Sequence, residues 1–305
     1  MGRHFDGQML GSIELFCRTA ELKSFTAAAA QAGVTQAAVS RSISRLEGRL
    51  GVQLFVRSTR SVRLTERGQA YYEQCRQALG QLIDAERELT GHQAVVAGLI
   101  RMSLPTSYGH LRVLPLLAEF RRTYPQVRLE VQLTNRSADL VAEGIDLAVR
   151  ARNPPDSGLV SRKLEDAELV VVGSPAYLKR HGTPANPTDL KQHECIQFER
   201  PLTGQVIPWA LNVNGECIDV NTAGSLCITD DVLGLSTAAR SGIGLAQTYR
   251  FIVEEDLKNG TLVEVMREFG GASRPFNILY PPHQHMPQRV RLLVEFLVNK
   301  LRDRN

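Results

Sequence analysis

One stretch near the N-terminus, SFTAAAAQAGVTQAAVSRSISRLE (residues 24–47), restricts the fold more than any other part of the chain. Its first half is rich in alanine, a strong helix former with so little side-chain bulk that another helix can approach closely. Gly33 is suited to end that helix in the left-handed conformation, and Thr35 is a good N-cap for the next helix. The stretch predicts two helices joined by a tight turn, the first beginning at Ser24 or Phe25.

The second helix has two unlike faces. Its apolar residues recur at spacings of four, three and four, and so form one buried stripe of Val39, Ile43, Leu46 and Leu50. The opposite face carries mostly short polar and cationic side chains, at Gln36, Ala37, Ser40, Arg41, Ser44 and Arg45. Two helices with this turn form a helix-turn-helix, whose second helix can enter the major groove of DNA. The alternative is an ordinary helical bundle whose polar face meets water.

The polar face carries groups that match base edges. Gln36 can pair with adenine, and Arg41 can bind guanine or a phosphate. Ser40 can pair with either base, and the methyl group of Ala37 can contact that of thymine. We therefore predict DNA contacts from these two helices at Ser24, Thr26, Thr35, Gln36, Ala37, Ser40, Arg41 and Arg45.

The segment GVQLFVRSTRSVRLTERG (residues 51–68) predicts a small hairpin, because apolar residues alternate on both sides of a polar turn at residues 58–61. Beside a recognition helix such a hairpin forms a wing. Its three arginines, Arg57, Arg60 and Arg63, are available for phosphates or for a minor groove.

Positive charge is concentrated at this end of the chain. Residues 1–65 contain nine Lys and Arg against four Asp and Glu, whereas the whole chain has a net charge of only +4. This distribution favours a polyanion as the partner of the N-terminal region. A basic surface that is merely solvated would give the same count.

Thr65 can cap a further helix that runs from about Glu66 to His92. Its inward positions recur at spacings of three and four, and they are Tyr72, Cys75, Leu79, Leu82, Glu86 and Leu89. This pattern is the seam of a coiled coil, which Glu86 interrupts. The same helix of a second copy would bury the seam with a two-fold symmetry that suits DNA half-sites. Packing against the chain's own body is the alternative.

Beyond the linker, predicted strands and helices alternate, which favours an α/β domain with a largely parallel sheet. Helices are predicted at residues 106–125, 136–144 and 230–242, the first with Leu111, Leu114, Leu117 and Phe120 on its core face. The chain passes through this pattern twice. Two open lobes therefore enclose a cleft, where ligands bind at strand C-termini and helix N-termini.

The order of motifs LFxxTA, SFTAAA, VTQAAVSRSISRLE, LGVQLFVR and RLTERG resembles the N-terminal domain of LysR-type transcriptional regulators. The match runs without a gap from about Leu15 to Gly68. One departure is Ala37, where many members of the family have proline, which preorganises the first helical turn more strongly. The rest of the chain is similar, more loosely, to the effector-binding domain of the same family, itself similar to periplasmic solute-binding proteins.

The resemblance implies a multidomain protein in which a mostly α-helical winged helix-turn-helix is followed by a linker helix and an α/β domain of the periplasmic-binding-protein type. The DNA-binding domain would cover residues 1–65 and the dimerisation helix residues 66–93. The two-lobed effector-binding domain would cover residues 94–305, with lobe I at 94–166 and 268–305 and lobe II at 167–267.

The resemblance also implies a function. The protein would bind a roughly palindromic site on double-stranded promoter DNA as a homodimer or homotetramer, assembled through the linker helix and the effector domains. A small molecule in the cleft would change the oligomer's grip on DNA or its bending. The effector would be surrounded by polar and aromatic residues at strand and helix ends, namely Thr106, Ser107, Thr134, Asn135, Arg150, Gln197, Phe198, Thr229 and Gln247.

The charge of this effector stays open. Arg150 and two helix N-termini favour an anion, whereas Asp230 and Asp231 at a cleft-facing helix start would repel one. These aspartates could instead cap the helix, or one could hold an amine or hydroxyl group of the ligand. Each single cleft residue could equally be a cap or a polar group satisfied by its neighbours.

Motifs for enzymatic chemistry are missing from the sequence. It has no Walker loop, no G-x-S-x-G and no HExxH, and GIGLAQ (residues 242–247) lacks the third glycine of a dinucleotide fingerprint. His283 and His285 form the only close histidine pair, with no acidic or thiol ligand near them in sequence. We therefore expect no enzyme, no cofactor and no metal.

The five cysteines are widely spaced and odd in number, which favours reduced thiols that pack as small core residues. No apolar run has the length of a membrane span or a signal peptide, so we expect a cytoplasmic protein without a membrane partner. Two other functions compete with the regulator. One is a solute-binding or enzymatic protein whose N-terminal bundle only mediates assembly, and the other is an architectural DNA binder with an inert cleft.

Overall fold

The computed structural model describes residues 7–57, 62–89, 96–136, 139–151, 158–200, 204–282 and 286–302. The chain forms two compact units, one of residues 1–95 with 139–145, and the other of residues 96–138 with 146–305. Within the described ranges, no helix combines the length and the apolar character that crossing a bilayer requires.

The first unit begins with three helices, α1 (Gly7–Leu22), α2 (Phe25–Ala32) and α3 (Gln36–Leu50). Local capping sets their bounds. The Ser24 hydroxyl oxygen accepts a hydrogen bond from the Ala27 N–H at 3.2 Å and starts α2. The Thr35 hydroxyl oxygen accepts one from the Ala38 N–H at 3.2 Å and starts α3. Gly33, at φ 67°, adopts the predicted left-handed conformation that ends α2.

The core of this unit lies where α2 and α3 pack on α1. The predicted stripe on α3 is confirmed, because Val39, Ile43 and Leu46 are buried and Leu50 is half-buried. Within the alanine run, only Ala28 and Ala29 are buried, while the alanines on either side of them are exposed. The methyl surface that lets the helices approach is therefore narrower than the sequence suggested.

A hairpin of β1 (Phe55–Arg57) and β2 (Val62–Leu64) follows, and it leads into α4 (Glu66–Leu89). The Glu47 carboxylate at the end of α3 accepts hydrogen bonds from the N–H groups of Leu54 and Phe55 at 2.8 and 3.2 Å. It thereby fixes the start of β1. The predicted turn at residues 58–61 lies outside the described residues.

The predicted seam of α4 divides into two parts. Tyr72 and Cys75 are buried in the core of their own unit, and Leu79 packs against it, as the alternative interpretation held. Leu82 and its neighbour Ile83 are 49% and 48% exposed. The side chains of Glu86 and Leu89 lie outside the described residues.

The second unit contains eleven strands within the described residues, β3 (Gly98–Leu104), β4 (Val127–Leu133), β5 (Leu147–Ala151), β6 (Val160–Gly173), β7 (Gln197–Glu199), β8 (Trp209–Val213), β9 (Glu216–Val220), β10 (Cys227–Thr229), β11 (Ala246–Tyr249), β12 (Val263–Val265) and β13 (Ser273–Tyr280). Its α-helices are α5 (Thr106–Tyr108), α6 (Leu114–Thr123), α7 (Pro175–His181), α8 (Leu233–Arg240), α9 (Arg250–Asn259) and α10 (Gln288–Arg302). A π-turn, Gly109–Val113, joins α5 to α6, and 3-10 turns occupy Pro187–Gln192 and Arg267–Phe269.

The main sheet has the order β4-β3-β5-β13-β6-β11, and β12 also pairs with β6. β3 is parallel to β4 and β5, but β13, β11 and β12 are antiparallel to β6. The expectation of a largely parallel sheet is therefore wrong. The reason is the 14-residue strand β6, which pairs with β13 over its first part and with β11 and β12 over its last. It thus links the two lobes of this α/β unit.

The three helices predicted at residues 106–125, 136–144 and 230–242 all differ in the structure, and the first of them is divided by the π-turn. Residues 140–144 form turns where a short helix was expected. The helix expected over residues 230–242 begins only at Leu233, because Asp230 adopts a left-handed φ of 70°, which interrupts helical geometry.

Gly68, in the first turn of α4, lies against the backbone of the segment between α3 and β1. A Cβ atom at this position would be 2.0 Å from the Leu54 carbonyl oxygen. We expect Gly68→Ala to lower the free energy of unfolding by about 1–3 kcal/mol, because overpacking forces the backbone to shift. Thermal unfolding followed by circular dichroism measures this effect.

Gly11→Ala on α1 is the matched control, since an added methyl group there would meet nothing within 4 Å. Alanine in an exposed helix should leave stability unchanged or raise it by about 0.5–1 kcal/mol. Equal melting temperatures for both variants would contradict the prediction.

Candidate functional site

The exposed face of α3 carries most of the side chains that were predicted to contact DNA. Gln36, Ala37, Arg41 and Arg45 are exposed, while Ser40 is half-buried. The rotation of α3 about its axis is fixed on its buried side. There the Ser42 hydroxyl donates to the Ser12 hydroxyl of α1 at 2.8 Å. α3 thus presents one polar, cationic face on a rigid support.

Three hydroxyl groups lie at the starts of α2 and α3. Those of Ser24 and Thr35 accept capping hydrogen bonds, and each can still donate its own hydrogen. Thr26 is exposed in the first turn of α2. Helix N-termini with hydroxyl groups are suited to bind phosphate oxygens.

The wing is described in part. Arg63 is exposed on β2, next to the register pair of Arg57 and Val62. The side chain of Arg57 and all of Arg60 lie outside the described residues. Three exposed cations that the sequence analysis did not assign are Lys23 before α2, Arg49 near the end of α3, and Arg67 at the start of α4. Their charges were visible in the sequence, but their exposure depends on the packing of the helices.

In the second unit, Thr106 and Asn135 form a reciprocal pair between α5 and the end of β4. The Thr106 N–H donates to the Asn135 side-chain oxygen at 3.1 Å, and the Asn135 amide donates to the Thr106 hydroxyl at 3.2 Å. Thr134 accepts a hydrogen bond from the Arg136 N–H at 3.2 Å, and Ser107 is buried. The four residues predicted at this strand edge therefore lie at adjacent strand and helix ends.

The Arg150 side chain connects neighbouring strand ends through hydrogen bonds. Its two terminal nitrogens donate to the carbonyl oxygens of Ser103, Val149 and Arg136 at 3.1, 2.7 and 3.2 Å, and to the Ser103 hydroxyl at 2.8 Å. At least four of the five guanidinium N–H groups are thus used within the protein. An anionic ligand would have to compete with these oxygens for Arg150.

The amides predicted in the second lobe are also used internally. Gln197 is buried and donates to the Cys195 carbonyl at 2.7 Å and to the Thr222 hydroxyl at 3.0 Å. Gln247 accepts from the Ala210 N–H at 2.9 Å and donates to the Ala210 carbonyl at 2.8 Å. The amide of Gln247 therefore acts like a strand partner for β8.

Two further predicted residues differ in character. Phe198 is half-buried and packs against the main core, whereas Thr229 is exposed at the end of β10 and does not open a helix. The Asp231 carboxylate accepts a hydrogen bond at 3.0 Å from the N–H of Leu233, the first residue of α8, whose N-cap is Val232. The Asp231 carboxylate is thus engaged by the backbone at the start of α8.

The cysteines are free thiols, three buried and two (Cys217 and Cys227) exposed. Burial raises the pKa of Cys17 and of Cys195 to about 12, so both thiols stay protonated at neutral pH. Among the described residues, no three His, Cys, Asp or Glu side chains are grouped so as to hold a metal ion. His283 and His285 lie outside the described residues.

Comparisons with known proteins match both units. Residues 10–69 match the bacterial regulatory helix-turn-helix proteins of the lysR family, and residues 93–302 match the LysR substrate binding domain. The chain is 33% identical, over 95% of its length and 94% of the relative's, to the probable HTH-type transcriptional regulator LtrA of Klebsiella pneumoniae.

Two solved structures are similar over nearly the whole chain. One is CrgA, a LysR-type transcriptional regulator from Neisseria meningitidis, with 29% identity, a TM-score of 0.59, and coverage of 98% of this chain and 99% of CrgA. The other is the full-length Vibrio cholerae virulence activator AphB, with 28% identity, a TM-score of 0.59, and coverage of 96% and 99%. These relatives are regulators of transcription rather than enzymes.

The hydrogen bonds of Arg150 lead to a prediction about stability. Arg150→Lys keeps the charge but replaces the planar fork by a single ammonium group, so buried carbonyl oxygens lose their donors. We expect the free energy of unfolding to fall by about 1–3 kcal/mol. Thermal unfolding of the full-length protein measures this loss.

Arg128→Lys on the neighbouring strand β4 provides the control, because Arg128 is exposed. Its melting temperature should stay at the wild-type value. A melting temperature of Arg150→Lys that also stays there would show that the four hydrogen bonds do not stabilise the unit.

Proposed function

This chain belongs to the LysR family of DNA-binding transcriptional regulators, and from that premise we propose which of its surfaces bind DNA, effector and a second copy. It combines a helix-turn-helix with a LysR substrate binding domain. We assign DNA binding to residues 1–65, dimerisation to residues 66–93 and effector binding to residues 94–305. Because promoter DNA is its target, the protein acts in the bacterial cytoplasm.

α3 is the recognition helix of this proposal. The observation that carries it is the division of α3 into a buried apolar stripe and an exposed face with Gln36, Ala37, Arg41 and Arg45. Such a helix can lie in the major groove, with its N-terminal residues at base edges. Ser24, Thr26, Thr35 and the arginines of the wing would contact the sugar-phosphate backbone to either side.

A second copy would pack on α4. Leu82 and Ile83 leave an apolar surface at the exposed end of the seam, which a symmetric helix would cover. Two recognition helices related by two-fold symmetry would bind a roughly palindromic site. The oligomer is then a homodimer, or a homotetramer if the effector domains add a second interface.

The effector would bind at the strand and helix ends that carry Thr106, Ser107, Thr134, Asn135, Arg150, Gln197, Phe198, Thr229 and Gln247. The guanidinium and amide donors of Arg150, Gln197 and Gln247 are mostly engaged within the protein. This supports a small molecule held chiefly by hydroxyl and backbone N–H groups. Its binding would change the oligomer's grip on DNA.

The test of this function is selection of bound promoter fragments by the full-length protein, with and without a panel of metabolites. A shared palindromic motif among the bound fragments is the expected result. A metabolite that binds the native protein should raise its melting temperature. If no metabolite does so while DNA still binds, the architectural alternative is favoured. If no fragment is enriched, the DNA-binding proposal fails.

Gln36→Ala should relax the preference for one base pair and cost about 1–3 kcal/mol on the preferred site, because a bidentate pair with adenine is lost. Fluorescence anisotropy on a set of single-base variants of the selected site measures this change. Gln126→Ala, at an exposed glutamine of the second unit, is the control and should leave the preference unchanged. A Gln36→Ala protein with the wild-type preference would contradict this register of α3.

Arg63→Ala should weaken binding to all sequences alike and reduce the slope of log affinity against log salt by about 1, because one phosphate contact is lost. Titrations at several salt concentrations measure the slope. Arg121→Ala, at an exposed arginine of α6, is the control and should keep the wild-type slope. A wild-type affinity that is flat against salt would favour a helical bundle used only for assembly.

A further inference from the structure

The helix that follows Thr106 and Ser107 is broken by a π-turn at Gly109–Val113. The Leu114 N–H donates to the Gly109 carbonyl five residues earlier, in place of the usual four. Pro115 has no N–H, so it cannot complete the α-helical bond to the Leu111 carbonyl. A Cβ atom on Gly109 would be 2.4 Å from a methyl carbon of Leu133, so the turn also needs glycine to lie this close to β4.

The π-turn changes which side chains face the core. One extra residue in a turn shifts the following side chains by about 100° around the helix axis. Leu111, predicted on the core face, is 41% exposed, whereas the Arg112 side chain is only 20% exposed. The expectation for Leu111 is therefore wrong, and an arginine is turned inward in its place.

Arg112 points to the strand that links the two lobes. Its Nε atom lies 3.3 Å from a carboxylate oxygen of Glu165 on β6, and the Glu165 side chain is only 3% exposed. Its guanidinium carbon is 5.0 Å from the centre of the Phe251 ring at the start of α9. Glu165 pairs with Phe276 at the point where the register of β6 and β13 shifts.

Aromatic rings connect the end of α5 to β13 and to α9. Tyr108, which directly follows Ser107, stacks on Phe276 of β13 at 4.1 Å and contacts Phe251 edge-on at 5.8 Å. The turn with the candidate effector residues is thus attached to β13 and α9 by rings, and to β6 by a charge.

The ion pair is a poor source of stability. Burying two charges costs more than a single contact returns unless hydrogen bonds satisfy both groups. Neither the Arg112 Nε atom nor the facing Glu165 oxygen has a hydrogen bond of good geometry. The presence of this ion pair is better explained by a positioning role, in which it holds the π-turn against β6.

We propose that Arg112 is a positioning residue. It couples α5, which carries Thr106 and Ser107, to strand β6, which links the two lobes. This inference rests on the proposed effector site. A ligand that displaces this turn moves Arg112 and hence Glu165, because the π-turn holds the arginine inward. The movement would thus be passed to β6, the strand that links the two lobes, without any rearrangement of the side chains that contact the ligand.

A test without effector uses Thr106→Val, which removes the hydroxyl that accepts from Asn135 and so perturbs the contact between α5 and the end of β4. Hydrogen exchange of the full-length protein, followed by mass spectrometry, is compared at residues 160–173. In the wild-type background we expect exchange there to increase by about two- to tenfold, the effect of one lost side-chain hydrogen bond. In an Arg112→Met/Glu165→Leu background the same substitution should leave exchange at these residues unchanged.

The double variant separates positioning from stability. Replacing a buried ion pair by apolar residues of similar size is often neutral or stabilising, so its melting temperature should equal or exceed the wild-type value. Arg112→Lys keeps the positive charge beside Glu165. In this variant Thr106→Val should therefore still increase exchange at residues 160–173, but by less than in the wild type. Arg121→Met, which leaves Arg112 and Glu165 unchanged, is the matched control and should respond like the wild type.

Two outcomes would overturn the inference. One is a wild-type protein in which Thr106→Val leaves exchange at residues 160–173 unchanged. The other is a double variant that responds as the wild type does. Neither depends on an effector, so a metabolite panel without a hit would contradict the proposed site and leave this test of Arg112 decisive.

Discussion

The orientation of α3 depends on one packing constraint, the burial of its apolar stripe against α1. Val39 and Ile43 have no exposed surface, so a rotation of the helix by one residue would bring a polar or cationic side chain into the core. The hydrogen bond between Ser42 and Ser12 further restricts the rotation of α3 about its axis. Apolar packing, rather than charge, therefore turns Gln36 and the arginines of α3 outward.

Much of the first unit could be predicted from the sequence, because its structure follows from local chemistry. A capping hydroxyl, a left-handed glycine and a periodic apolar stripe each act within a few residues, as at Ser24, Gly33 and Val39. The fate of the α4 seam was not predictable in this way. Tyr72 and Cys75 fit a coiled coil and an internal core equally well, and only tertiary packing distinguishes the two.

The second unit was predicted in outline, and its details depend on residues far apart in sequence. A continuous helix was predicted across Pro115, and the close approach of Gly109 to Leu133, which accompanies the break, becomes visible only when the strands are placed. The same holds for Gln247, whose amide pairs with the backbone of Ala210, 37 residues away. Periodicity placed Leu111 in the core because it assumes 3.6 residues in every turn, and the π-turn breaks that assumption.

The polar residues at the candidate effector site share a property that bears on how such a site responds. Arg150, Gln197 and Gln247 hold strand ends together through hydrogen bonds to backbone oxygens and side chains. Side chains engaged in this way resist rearrangement, because each would leave a buried oxygen without a donor. We infer that a ligand here moves whole elements rather than single side chains. Strand β6, which runs from lobe I into lobe II, is the element through which such a movement would pass.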